Sequence, residues 1–144
     1  MKTALATLAL LAGATAALAQ SSPVGLWRNV DDKTGETKAE IRIVEMNGSL
    51  DGRIEKSLKK DTAADAVCEV CTDERKGKAI VGLDIIRGGK KVEGKDVWEG
   101  GKILDPENGK EYRAAFTPIE GGKKLEVRGY LGPFWRTQTW VRAQ

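Results

Sequence analysis

The chain contains no histidine among its 144 residues. Ser-His-Asp and Cys-His catalysis, His-rich zinc sites and imidazole pH switches all need that side chain, so they are excluded in their usual forms. Cysteine is scarce too, with Cys68 and Cys71 the only pair. Two thiolates without histidine do not complete a zinc shell unless a second chain donates ligands, so no metal is expected. An excess of one charge is also missing: 24 basic and 21 acidic side chains leave a formal charge of +3. That balance does not mark a nucleic-acid binder, and none is expected as a partner. Lys59-Lys60, Lys90-Lys91 and Lys123-Lys124 are expected in turns, where they serve solubility and blunt sheet edges. Long hydrophobic runs are absent except for Ala4 to Ala14. A membrane helix needs about 20 apolar residues, so the chain is not expected to span a bilayer.

That one run belongs instead to the layout of a secretory signal peptide. Lys2 precedes it, and the small residues Ala17-Leu18-Ala19 follow as a cleavage site. The expectation is a signal peptide over residues 1–19 and a single domain over residues 20–144, periplasmic or secreted. No Cys follows Ala19 to carry a lipid anchor. Losing Lys2 lowers the formal charge from +3 to +2. A domain of this length buries about two-thirds of its unfolded surface in one core.

What remains reads as strand after strand. Asp105-Pro106, Asn108 and Gly109 make a compact turn signal, in which Asp opens a type I turn, Pro presets φ and Gly supplies positive φ. Before it, Trp98, Gly100 and Leu104 share the parity of one strand face. After it, Tyr112, Ala114 and Phe116 do the same. Such a hairpin cannot bury a face alone and needs a sheet around it. Earlier, Gly25-Leu26-Trp27-Arg28 begins a first strand, and Asp31 to Gly35 forms a turn. Ile41 and Ile43 alternate with polar neighbours up to Asn47-Gly48, a strong hairpin signal. Leu50, Gly52 and Ile54 continue beyond it.

From Lys56 to Lys76 the alternation stops, and the stretch reads as a long connection carrying the two cysteines. Ala79 to Arg87 reads as a strand turned by Gly88-Gly89. Leu125, Val127 and Gly129 alternate with Glu126, Arg128 and Tyr130. In the last strand Arg136, Gln138, Trp140 and Arg142 share one face. About eight short strands with Gly turns point to an all-β barrel or sandwich.

These segments carry an ordered set of motifs: Gly25-Leu26-Trp27, Cys68-x-x-Cys71, Lys78-Ala79-Ile80-Val81-Gly82-Leu83, Trp98-x-Gly100-Gly101-Lys102-Ile103, Asp105-Pro106-x-x-Gly109-Lys110-x-Tyr112, Val127-Arg128-Gly129-Tyr130 and Arg136-Thr137-Gln138-Thr139-Trp140. In them the chain resembles the bacterial domain of unknown function 2147 family over essentially its whole mature length. The resemblance implies an exported, antiparallel up-and-down lipocalin-like β-barrel with no established chemistry. Gly-x-Trp on the first strand with an Arg on the last is the lipocalin signature. It implies that Trp27 is covered by Arg136 or Arg142, closing one barrel end. Fold does not fix function.

Candidate functional residues follow from this frame. An oxidised Cys68-Cys71 pair, stapling one loop, is the favoured reading over a redox centre, whose βαβ setting is missing. The acidic pairs Asp31-Asp32 and Asp73-Glu74 are read as solvated turns. Trp98, Tyr112, Phe116 and Tyr130 are the candidate lining of a pocket for a small hydrophobic or amphipathic ligand, although eight strands can equally be packed solid. Trp27, Trp140, Arg136 and Arg142 are assigned to barrel closure. Phe134 and Trp135, in a bend made by Gly132-Pro133, form a lid or contact loop. No catalytic residue and no cofactor are expected. The leading expectation is a ligand-binding protein, and the alternative a protein-interaction module of the cell envelope with a filled barrel.

Overall fold

A computed structural model describes residues 21–144; the expected signal peptide, residues 1–19, lies outside them. The described chain is built from strands and one short 3-10 turn. The strands are β1 (Gly25–Val30), β2 (Thr37–Met46), β3 (Ser49–Ser57), β4 (Asp84–Arg87), β5 (Lys90–Lys91), β6 (Trp98–Leu104), β7 (Glu111–Ile119), β8 (Lys124–Leu131) and β9 (Phe134–Arg142). Every pairing is antiparallel, in the order β4-β3-β2-β1-β9-β8-β7-β6-β5, and a β4–β6 pairing closes the sheet on itself.

Nine segments occupy eight positions, because β4 and β5 are two pieces of one strand. Ile86 lies opposite Ile103 and Arg87 opposite Lys102; Lys90 then faces Glu99 and Lys91 faces Trp98, in unbroken register. Gly88-Gly89 is therefore an interruption inside the strand and not the turn expected there. The backbones approach closely at this point: a Cβ on Gly101 would sit 3.1 Å from the carbonyl of Gly88. The turn comes later, where the Val92 N–H bonds the Val97 carbonyl. Lys90-Lys91 accordingly lies in a strand. Upstream, only Asp84–Arg87 of the expected Ala79–Arg87 strand pairs as one. Gly82, at φ 94°, bends the preceding segment, and Val81 is left exposed.

The other turns obey their local chemistry. Asn47 and Gly48, both at positive φ, join β2 to β3 in two residues. The Asp105 carboxylate accepts the Glu107 N–H, and the Asn108 side chain accepts that of Lys110. Inside β6 a bulge at Glu99-Gly100 shifts the register, so Gly101 faces Ala114 and Ile103 faces Tyr112. Inward parity thus passes to Gly101 and Ile103; Gly100, grouped with Trp98 and Leu104 by simple alternation, is exposed.

The core is filled at one end. Trp27, Ile43, Leu50, Ile86, Phe116 and Leu125 are fully buried there, with Trp98 beside them. Burying each such side chain contributes about 1.5–3 kcal/mol. Disulfide-bonded Cys68 and Cys71 sit in the long connection between β3 and β4. Arg75 fastens that connection: 2% exposed, it donates to Asp73 at 2.6 Å, to Glu111 at 2.7 Å and to the Asp84 carbonyl at 2.8 Å. A Cβ on Gly109 would lie 2.0 Å from the Val70 carbonyl, so the turn before β7 packs directly on the disulfide loop.

Candidate functional site

The two barrel ends are built differently, and the contrast defines the site. At the packed end the Arg142 guanidinium lies 4.1 Å from the centre of the Trp27 ring. It donates to the carbonyls of Gly122 (2.6 Å), Val24 (2.8 Å) and Ser22 (2.8 Å), while the Trp27 indole N–H donates to Pro23 (2.7 Å). Burial pulls the Arg142 pKa down. Gly25 is needed here: at φ 139°, its missing Cβ would fall 2.4 Å from Arg142 Nη1.

The other end opens into a cavity of about 730 Å³. Its walls and floor are apolar, with Ile41, Ile54, Ile85, Ile103, Val127 and Trp140 among them. Strand parity directs these side chains inward: Val127 faces Gln138 and Leu125 faces Trp140 across β8 and β9. The connection between β3 and β4 adds Thr62, Ala66, Val67 and Ile80 to one side. Tyr112 also lines the cavity, and its hydroxyl accepts from Asn108 at 3.0 Å.

A ring of charges surrounds the mouth. Lys38 bridges Asp31 (3.1 Å) and Glu107 (2.9 Å), Lys59 reaches Glu107 (2.8 Å), and Arg136 clasps Asp32 with Asp31 behind it. The Thr34 N–H, the Lys38 ammonium and the Lys33 N–H, in that order, hold the Asp31 carboxyl well below the usual carboxylate range. Arg136 lowers Asp32, and Lys59 with Lys38 lowers Glu107. Partial burial works against the Lys38 charge, but its bonds to Glu107 and Asp31 outweigh that and raise its pKa. Asn29 and Gln138 add uncharged polar groups below the ring, each holding an N–H: Asn29 that of Ala39, Gln138 that of the Trp140 indole. Among the described residues no cluster of three or more Cys, Asp or Glu is placed to hold a metal.

The residues singled out from sequence are distributed unevenly. Of the four candidate lining residues, only Tyr112 borders the cavity. Trp98 and Phe116 are buried in the packed half, where each faces the other across β6 and β7. Tyr130 lies on the outer face, under the Arg113 guanidinium at 5.7 Å. Its neighbours Leu125, Val127 and Gly129 take the inward parity, which leaves Tyr130 outside. Arg136 stands at the mouth and Trp140 on the cavity floor, so of the four residues assigned to closure only Trp27 and Arg142 meet at the packed end. Phe134 and Trp135 border the mouth.

Asp31, Lys38, Lys59 and Glu107 were missed as a group. They come from four separate turns and strands, and no spacing along the chain joins them. Asp31 is drawn in against Lys38 with its side chain only 11% exposed, unlike a solvated turn residue. Asp73 and Glu74 are likewise engaged, with Arg75 and Arg87.

No helix among the described residues is long and apolar enough to cross a membrane. In solved structures the fold has a neighbour, the protein HP1028 from the human pathogen Helicobacter pylori, described as belonging to the lipocalin family. The two superpose with a TM-score of 0.72 at 19% identity, covering 85% of this chain and 84% of that one. At that identity the likeness concerns the lipocalin-like barrel alone. No curated protein matches the sequence. The family model of bacterial proteins designated domain of unknown function 2147 matches residues 25–142, and the chain belongs to that family.

Proposed function

We propose that this protein is a non-catalytic carrier of one small hydrophobic or amphipathic molecule, held in the cavity with its polar part at the charged mouth. The observation that carries the reading is the hollow half of the barrel: about 730 Å³, apolar below and polar above. Sites for small molecules have this size and this division, with a few polar groups fixing orientation. The mouth favours a head group that offers both donors and acceptors, because Lys38, Lys59 and Arg136 alternate there with Asp31, Asp32 and Glu107. Export is part of the proposal, supported by the layout of Lys2, Ala4 to Ala14 and Ala17-Leu18-Ala19. A filled barrel acting only through its surface is less well supported, since the filling stops at Trp140.

Native mass spectrometry of protein taken from its own cells, followed by denaturation to release bound molecules, tests the reading. The expected result is a reproducible adduct that Gly129→Leu removes. Gly129 lines the cavity at ordinary φ, and a Cβ there meets only Tyr112, at 3.5 Å, so the longer side chain takes ligand volume without straining the strand. Protein that stays bare after exposure to a total lipid extract overturns the proposal.

A further inference from the structure

The hairpin joining β8 to β9 carries more exposed apolar surface than a closed barrel needs. Phe134 is 76% exposed, Trp135 64% and Leu131 51%, at the tip of a two-residue turn, Gly132-Pro133. These residues form a protruding point and not a flat patch, which suits insertion into a soft medium better than the broad, complementary face of a protein interface.

What lies beside the tip gives the medium its chemistry. On the outer face Trp135 is paired with Tyr130, Tyr130 with Arg113, Arg113 with Lys102, and Lys102 with Arg87. Neighbouring strands are about 4.8 Å apart, so this is a continuous row of two aromatic and three basic side chains. Arg128 lies one outward position deeper on β8, bonded to the Thr137 hydroxyl at 3.0 Å. Arg113 and Arg128 have no carboxylate within ion-pair distance among the described residues, whereas Arg87 meets Glu74 and Lys102 meets Glu111 at 3.7 Å. Apolar tip, then Trp and Tyr, then a basic row is the order of environments met on leaving a bilayer core through its interface to an anionic surface.

We infer that the β8–β9 hairpin and the basic row docks the protein on an anionic lipid bilayer. Leu131, Phe134 and Trp135 also border the cavity mouth, so docking sets the mouth against the lipid surface and lets an apolar molecule pass without crossing water. The transfer step rests on the proposed ligand; the docking does not.

Co-sedimentation of the full chain with phosphatidylglycerol vesicles, against phosphatidylcholine vesicles, tests the docking. Comparing variants of one chain cancels any contribution from the N-terminus. Binding is expected to phosphatidylglycerol and to weaken with salt. Arg113→Glu with Lys102→Glu should weaken it at least about tenfold, since each basic side chain near such a surface contributes appreciably. Phe134→Ser with Trp135→Ser should abolish it, with the thermal midpoint preserved because both side chains are exposed. Trp135 emission should shift to the blue on binding and be quenched by brominated acyl chains, and Trp135→Phe should remove that signal.

Protein left in the supernatant, equal binding to both vesicle types, or an unshifted Trp135 overturns the inference. So does a lipid-free dimer that Phe134→Ser dissolves, since the tip would then cover a second copy. Gly129→Leu separates the two proposals. It should leave vesicle binding intact, so loss of adduct with retained docking sustains both. Docking by a protein that never carries an adduct removes the carrier reading alone.

Discussion

The two ends of this barrel use arginine in opposite ways. At the packed end Arg142 lies flat on Trp27 and spends its donors on backbone carbonyls. At the open end Arg136, three inward positions away on the same strand, stands over a cavity and pairs with Asp32. The same side chain on the same face thus seals one end and helps frame an opening at the other. What differs is the neighbour: a fully buried indole below the first, empty volume below the second. Stability is concentrated at the sealed end, and adaptable polar surface at the open one.

Substitutions that remove the seal should have the largest effect. Trp27→Ala should cost about 4 kcal/mol, because it opens a large void in a fully packed region. Arg142→Ala should cost about 3 kcal/mol, leaving carbonyls of Ser22, Val24 and Gly122 unpartnered and the indole uncovered. Chemical denaturation measures both. A loss as small as that of a mouth variant would erase the distinction between the ends. Removing the Cys68-Cys71 crosslink with paired Ser substitutions should cost about 2 kcal/mol, since the closed loop is short. Arg75 should still hold the connection, so the barrel should keep its far-ultraviolet spectrum.

At the open end Lys38→Met should change stability by less than about 1 kcal/mol, as expected for partly exposed ion pairs, while altering the affinity for any adduct. The smallest effect concerns acid. Asp31 has its folded pKa depressed, so its contribution is fully present above the unfolded value of about 3.9 and is lost as pH falls below it. Asp31→Asn should therefore flatten the fall in stability below about pH 4, while leaving the Trp27–Arg142 end unchanged. A thermal-melt series against pH would show it, and identical slopes for the two proteins would contradict the account.

Much of this architecture was legible in the residue order. Asn47-Gly48 and Asp105 to Gly109 announce their turns through side-chain chemistry that acts within a few residues. The alternation in β9 already placed Arg136, Gln138, Trp140 and Arg142 on one face. The same alternation in β8 already set Tyr130 apart from Val127 and Gly129, so its expected place in the lining conflicted with its own parity. The Gly88-Gly89 reading failed for a different reason. Two glycines favour a turn locally, but here they relieve crowding against Gly101 on a strand that pairs from the far side of a later hairpin.

From order alone came most of the strands, the alternation within them, an all-β barrel or sandwich and the Cys68-Cys71 pairing, because period-two alternation, turn chemistry and short loop closure act over short stretches of chain. The choice of a barrel came from the family resemblance. Only the closed barrel decided which arginine covers Trp27 and where the packing stops. It also decided that Asp31, Lys38, Lys59 and Glu107 form one ring, because those contacts join residues up to 69 positions apart whose meeting depends on how the sheet twists and closes.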